Sequence, residues 1–325
     1  MVLSSDNKNI YYNFSYYNND TVDRPAIISQ TRVQNILDDP SNYKLAVVRF
    51  NIPAVNIPIQ NKFKENYYYV KLVFDGAEVL TYVQQIPNAV VNLGRIWSYQ
   101  SFIDGINNAF KTSFDQLKIL KPLMVQTLPP KIILNNNNDK LEFYFEQSYD
   151  SSIPNNIQVI VNNKLYYLFP TIPSFAGVLD ESFIITVQDQ LTNTITLNTI
   201  DYYIMYEESS SLFLINDFLN IQFESDTIPI SPELIDGSKN ITRRVLTDFE
   251  GIQQTNNRSS IQYFPQGPLR WIDLKSNHGL RDTDLRVLWS TKDGSTHLVY
   301  IPPNEALSVK LLFRRYNDDG TFEYT

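Results

Sequence analysis

The chain has 325 residues, a formal net charge of −8 and a hydrophobic fraction of 43%, enough apolar material to bury a large core in one or two domains. An acidic chain with a pI near 4.9 is repelled by phosphate backbones, which argues against nucleic acid as a partner. Cysteine is absent, and with it go disulfides, thiol nucleophiles and cysteine-ligated metal sites. The 21 Tyr and 19 Phe against 10 Gly and 3 Met favour strands over helices. No apolar run reaches the length of a bilayer span, and the first residues lack a basic-then-apolar leader pattern; the expectation is a soluble protein with no membrane span.

In chain order, residues 1–25 read as an arm, with Tyr11, Tyr12, Phe14, Tyr16 and Tyr17 set among Asn and Ser. Clustered tyrosine is typical of interfaces, so these five are candidate subunit contacts. Residues 43–50 (YKLAVVRF) form a strand, and Pro53 and Pro58 bracket an irregular extended segment after it. Residues 67–74 and 78–83 form a hairpin across Asp75-Gly76. One helix is expected, from an N-cap at Ser98 to about Phe114, with Phe102, Ile103, Ile106, Ala109, Phe110 and Phe114 on one face. Gly105 within it costs about 1 kcal/mol relative to Ala. Further strands are expected at 131–134, 141–145, 165–169, 183–187, 195–197, 202–206 and 218–223, with residues 207–211 as a solvated loop. Residues 231–242 mark the return into a C-terminal ladder. There, 285–289 and 297–301 flank a turn at Gly294, and 307–313 closes the chain ahead of Arg314-Arg315. Short strands at this spacing indicate a β-sandwich or jelly roll.

Nothing in the chain carries chemistry. His278 lies in a turn and His297 starts a strand; neither has metal-site spacing, and no Gly-x-Ser-x-Gly elbow is present. The carboxylate pairs Asp38-Asp39, Asp282/Asp284 and Asp318-Asp319 sit beside Pro, Asn, Thr or Gly, where turn and capping roles account for them. Trp271 and Trp289 fall within strand patterns and read as core or interface packing. The reading is a non-enzyme with no catalytic residue, no metal and no cofactor.

The segments 43–59 (YKLAVVRFNIPAVNIPI), 98–111 (SYQSFIDGINNAFK) and 284–315, ending in Leu312-Phe313-Arg314-Arg315, together resemble the penton, or minor capsid, proteins of polinton-like viruses, adintovirus-like elements and virophages. The resemblance implies a mainly all-β fold: a single jelly-roll β-sandwich with one amphipathic helix and a β-rich insertion in the middle. The expected organisation is an arm (1–25), a jelly roll (26–119 plus 236–325) and an insertion (120–235). The implied function is a structural penton subunit at the icosahedral vertices of the virion. Its implied partners are itself, as a homopentamer, and the major capsid protein, with other minor capsid or cement proteins, and a host receptor or glycan, as further candidates. Arg314 and Arg315 join the five arm aromatics as candidate subunit contacts. A β-sandwich module that binds carbohydrate or a receptor is the alternative.

Overall fold

A computed structural model describes residues 9–60, 67–84, 96, 98–135, 137–177, 181–188, 194–197, 200–208, 212–236, 241–250, 260–264, 267–316 and 321. The chain divides into two compact units: a discontinuous one, Met1–Ile57 with Phe218–Thr325, and an inserted one, Pro58–Asp217.

The discontinuous unit begins with β1 (Asn9–Tyr17), β2 (Arg24–Pro25), β3 (Ile27–Thr31) and β4 (Tyr43–Pro53). The inserted unit holds β5 (Tyr69–Phe74), β6 (Ala77–Tyr82), α1 (Tyr99–Leu120), β7 (Lys131–Asn135), β8 (Lys140–Glu146), β9 (Gln158–Asn162) and α2 (Asn163–Tyr166). It continues with β10 (Ser174–Ala176), β11 (Ser182–Ile185), β12 (Thr194–Leu197), β13 (Ile200–Tyr206) and α3 (Leu212–Ile215). The chain then returns through β14 (Phe218–Glu224), β15 (Glu233–Asp236), β16 (Ile241–Arg243), β17 (Val245–Glu250) and β18 (Ser260–Tyr263). It ends with β19 (Ile272–Asp273), β20 (Asp282–Thr291), β21 (Thr296–Leu298), β22 (Tyr300–Ile301) and β23 (Ala306–Arg315). The all-β class with one long amphipathic helix therefore holds.

In the discontinuous unit one sheet runs β1-β23-β4-β18 with β19 also on β4, and a second runs β17-β14-β20-β21 with β3 on β20. The pairings are antiparallel, so each sheet can bury one face and wet the other. Phe14, Phe50, Leu311 and Phe313 from the first sheet share a core with Phe223, Val287 and Trp289 from the second. Phe50 is the meeting point: its ring centroid lies 5.0 Å from Phe223 and 4.8 Å from Phe249 on the second sheet. This is the sandwich the C-terminal ladder implies.

Residues 9–17 correct the expectation of an arm, since they are a full strand in register with β23 from Asn9↔Arg314 to Tyr17↔Ala306. Residues 1–8 lie outside the described residues. Side chains alternate along β1, so Tyr12 and Phe14 enter the core while Tyr11 and Tyr17 face water.

The inserted unit has its own core, which draws on sheets β10-β11-β9-β5-β6 and β12-β13-β8-β7 and on α1. Asp75 and Gly76, both at positive φ (45° and 75°), make the tight turn between β5 and β6. The Ser98 hydroxyl caps α1 by accepting from the Ser101 N–H. The helix runs past Phe114 because Leu117 continues its buried stripe, which packs on β5, β6 and β7. Gly105 has a spatial reason: a Cβ there would meet the Gln84 carbonyl oxygen at 2.9 Å. The sequence pattern put the joints between units at 119/120 and 235/236, with the helix in the jelly roll. The compact units instead divide at 57/58 and 217/218, and the stripe of α1 ties it to the inserted unit.

Two local expectations also change. The strand expected at 165–169 begins as the helical turn α2, because the Asn162 side chain accepts from the Leu165 N–H. Glu207, expected in a solvated loop, is fully buried; its N–H donates to the Leu141 carbonyl and its carboxylate lies 3.3 Å from the Thr171 N–H.

Phe14→Ala should cost about 3–5 kcal/mol in urea unfolding, whereas Tyr11→Ala, one position away on the wet face, should stay within about 0.5 kcal/mol. Equal small losses would mean that β1 is not part of the core.

Candidate assembly surface

The wet face of the β1-β23-β4 sheet is cationic in a chain that is acidic overall. Leu307, Val309, Leu311 and Phe313 point from β23 into the core, which sends Lys310 and Arg314 to the other side. Lys310 is the cross-strand partner of Arg49, and Arg314 that of Lys44. Like charges placed opposite each other on a sheet are unfavourable, and the face tempers this with aromatic rings. The Lys310 ammonium lies 4.4 Å from the centre of the Tyr11 ring, the Arg314 guanidinium 4.9 Å from Trp271, and the Lys44 ammonium 5.5 Å from Tyr316. Arg314 Nε also donates to Asn9 Oδ1 at 2.9 Å. Asp273 receives the Tyr316 hydroxyl at 2.6 Å and lies 3.6 Å from Lys44. The Tyr316 hydrogen bond, aided by Lys44, holds its carboxyl below the usual range.

The candidate contact residues thus fall into two groups. Tyr12 and Phe14 are buried in the core of this chain. Tyr16 is half-buried and packs against the same core. Tyr11, Tyr17 and Arg314 lie on the wet side, Tyr11 and Arg314 within the cation–aromatic face, whereas Arg315, exposed at the strand end opposite Tyr43, falls on the other side by alternation. Sequence reading missed Lys44, Arg49, Lys310 and Tyr316, which only the strand register brings together with Trp271, read there as core or interface packing. Beside this face, Tyr11, Tyr12, Thr31, Arg32, Val33 and Ile36 line an open groove of about 690 Å³.

The groups considered for chemistry have structural partners. His278 Nδ1 lies 2.8 Å from Asn277 Oδ1 in an exposed turn, and the His297 ring packs 4.7 Å from Trp289. Asp39 caps the 3-10 turn Pro40–Asn42. Asp284 ties β20 to the segment after β14: it accepts from the Ser225 and Thr227 hydroxyls at 2.7 Å and from the Asp226 and Thr227 N–H groups at 2.9 Å. Desolvation pushes its pKa up, but these hydrogen bonds together outweigh it and hold the carboxyl below its ordinary value. Asp318 and Asp319 lie outside the described residues. Arg243 pairs with the buried Glu224 at 3.1 Å, and Arg244 donates to the Asp226 carbonyl. No group of three or more His, Cys, Asp or Glu side chains suited to a metal ion occurs among the described residues.

A β-sandwich whose described charged and aromatic groups are engaged in packing, caps and surface pairs has the character of a structural protein. Residues 80–315 match the family of the Sputnik minor capsid protein V18/19, and since this is more than half of the chain, the chain belongs to that family. The structural protein V19 of Sputnik virophage is 27% identical over 199 residues, covering 55% of this chain and 91% of that protein. A chain in the cryo-EM structure of the Sputnik virophage superposes with a TM-score of 0.76 at 23% identity, over 94% of this chain and 98% of that one. The mavirus penton protein, in its selenomethionine crystal structure, gives 0.72 at 18% identity over 94% and 99%. Likeness at these identities establishes the fold. By family the protein is thus a minor capsid protein, a structural component of the virion capsid and not an enzyme.

Because the folded pKa of Asp284 is depressed, its stabilising effect is present above the unfolded value near 4 and is lost as pH falls through the folded value. Asp284→Ala should cost about 1.5–3 kcal/mol at neutral pH, in line with charged hydrogen bonds. The gap between wild type and variant should close below about pH 4, as read by urea unfolding at several pH values; a constant gap would refute the assignment.

Proposed function

We propose that the protein is the penton subunit proper: five copies close around the icosahedral five-fold axis and abut the major capsid protein. The observation that carries this reading is the likeness to the mavirus penton protein across 94% of the chain. The wet face adds physical support. Its two like-charged cross-strand pairs are unfavourable in a lone subunit and would be relieved by acidic groups on a neighbour, which an acidic capsid protein can supply. Among the described residues β1 is the end strand of its sheet, and a strand edge is stabilised when another subunit covers it. The domain organisation fits the same reading, with a jelly roll that forms the shell wall and the inserted unit as an elaboration of it.

A second reading, saccharide or receptor recognition by the inserted unit, has one observation in its favour. The side of β8 and β13 away from the core carries Tyr144, Tyr202 and Tyr206, with Glu142 held by the Tyr144 hydroxyl at 2.8 Å and by Asn135 Nδ2 at 2.6 Å. Burial, then the bond to Glu142, raises the Tyr144 pKa and keeps its hydroxyl a donor. Rings beside fixed amide and carboxylate groups are the usual elements of a sugar site. Binding on a glycan array that disappears with Tyr202→Ala would favour it.

Light scattering across concentration, with negative-stain images, should show five-fold rings alone or on co-expression with the major capsid protein. Tyr11→Ala combined with Arg314→Glu should lower incorporation into particles several-fold while leaving the thermal midpoint nearly unchanged. Normal incorporation of that variant would remove the face from the assembly contact.

A further inference from the structure

The wet face of the β1-β23-β4 sheet carries positive charge that its own strands do not balance. β1, β4, β18 and β23 contain no Asp or Glu, and β19 contributes only Asp273. Against it stand Lys44, Arg49, Lys310 and Arg314, with Lys275 acting on Asp273 as well. Asp38 and Asp39 do not redress this. They act on Tyr43, which with its partner Arg315 points to the opposite side of the sheet. Asp39 is also taken up by Ser41 and Asn42. Leu312 and Ala46, paired between the cations, are buried. What the face offers a partner is therefore its cations and the rings of Tyr11, Trp271 and Tyr316.

The residues that follow Tyr316 have the complementary composition. Residues 317–325 (NDDGTFEYT) hold Asp318, Asp319 and Glu323, no Lys or Arg, and the rings of Phe322 and Tyr324. Apart from Thr321 they lie outside the described residues. They start from the face itself: the Tyr316 ring lies 5.5 Å from the Lys44 ammonium, its hydroxyl donates to Asp273, and its N–H donates to the Asn42 carbonyl.

Asp319-Gly320 is a pair of the kind that reverses a strand. β1 and β4 already occupy both edges of β23, so a returning chain has no place beside it in the sheet and must pass over a face. The core side is filled by the second sheet, which leaves the wet side. From Arg314 to Lys310 is about 13 Å along the strand, and the residues after Gly320 span about 16 Å when extended.

We propose that residues 317–325 fold back over the cationic face of their own subunit, with Asp318, Asp319 and Glu323 set against its cations, and cover it until acidic groups of a neighbouring subunit replace them. The docking stands on the face and the segment alone; the replacement rests on the penton reading. A tethered competitor acts at an effective concentration on the order of millimolar, which suppresses single encounters between free subunits.

The test uses the full chain, which has no cysteine of its own. Asn13→Cys, at the partner of Lys310 on β1, is combined with Thr325→Cys and treated with a short bis-maleimide. An internal link should form within the monomer. Asp318→Asn, Asp319→Asn and Glu323→Gln together should slow it about tenfold, as three surface ion pairs imply. Salt at about 1 M should do the same. Linking that ignores both the charge changes and the salt would overturn the docking. So would links between copies in place of the internal one, since the segment would then lie on a neighbour. Without the added cysteines, the triple variant should form five-fold rings at a several-fold lower concentration than wild type. Rings at the same concentration would overturn the replacement. If neither protein forms rings, the penton reading fails, and the crosslink still decides the docking.

Discussion

The last strand of the chain holds the discontinuous unit together. β23 lies between β1 and β4, pairing with both along most of its length, and sends Leu307, Val309, Leu311 and Phe313 into the core. Residues at the two ends of a 325-residue chain are thus neighbours, and the sheet cannot form until the C-terminal strand is available. Such non-local pairing delays folding, since loop closure must precede the contacts that compensate it. The inserted unit, with its own helix, sheets and core, carries more local pairings such as β5 with β6 and β7 with β8.

The sandwich depends in turn on few large contacts between its sheets. Phe50 touches Phe223 and Phe249 across the layers and stacks on Tyr263 within its own. Polar ties supplement this where side chains cannot pack. Asp284 fastens β20 to residues 225–227, and the Thr283 hydroxyl donates to the Tyr12 hydroxyl, which donates to Gln30 Oε1. Each carboxylate or hydroxyl in these ties has a partner that offsets its desolvation. The same economy gives Asp39 and Asp284, each from an acidic pair that might suggest catalysis, a structural role.

Much of this was legible in the sequence because the signals were local. The Asp75-Gly76 turn, the stripe from Phe102 to Phe114 and the branched and aromatic runs at 285–289 and 307–313 each declare their element within a few residues. β1 was opaque for a physical reason: Tyr occupies both of its faces. Tyr12 inside and Tyr11 outside look alike in a hydrophobicity pattern, and the alternation disappears. Glu207 misled for the opposite reason, since a Glu-Glu-Ser-Ser-Ser run reads as solvated unless its partners on a distant loop are known. The cationic face needed strand register, which sets Lys310 beside Arg49 and Arg314 beside Lys44 although their positions lie hundreds of residues apart. The division of units depended on where the chain crosses between cores, and no composition shift marks 57/58 or 217/218.

The inserted unit begins and ends at nearly the same place. The Asp217 N–H donates to the Ile59 carbonyl at 2.7 Å, so the points where the chain enters and leaves are clasped together. For the discontinuous unit, the intervening residues amount to a closed loop whose ends need no further bringing together. A module joined in this way can be shortened, exchanged or elaborated without disturbing strand register on either side of the joint. A change of length confined to the inserted module therefore leaves the geometry of the sandwich in place.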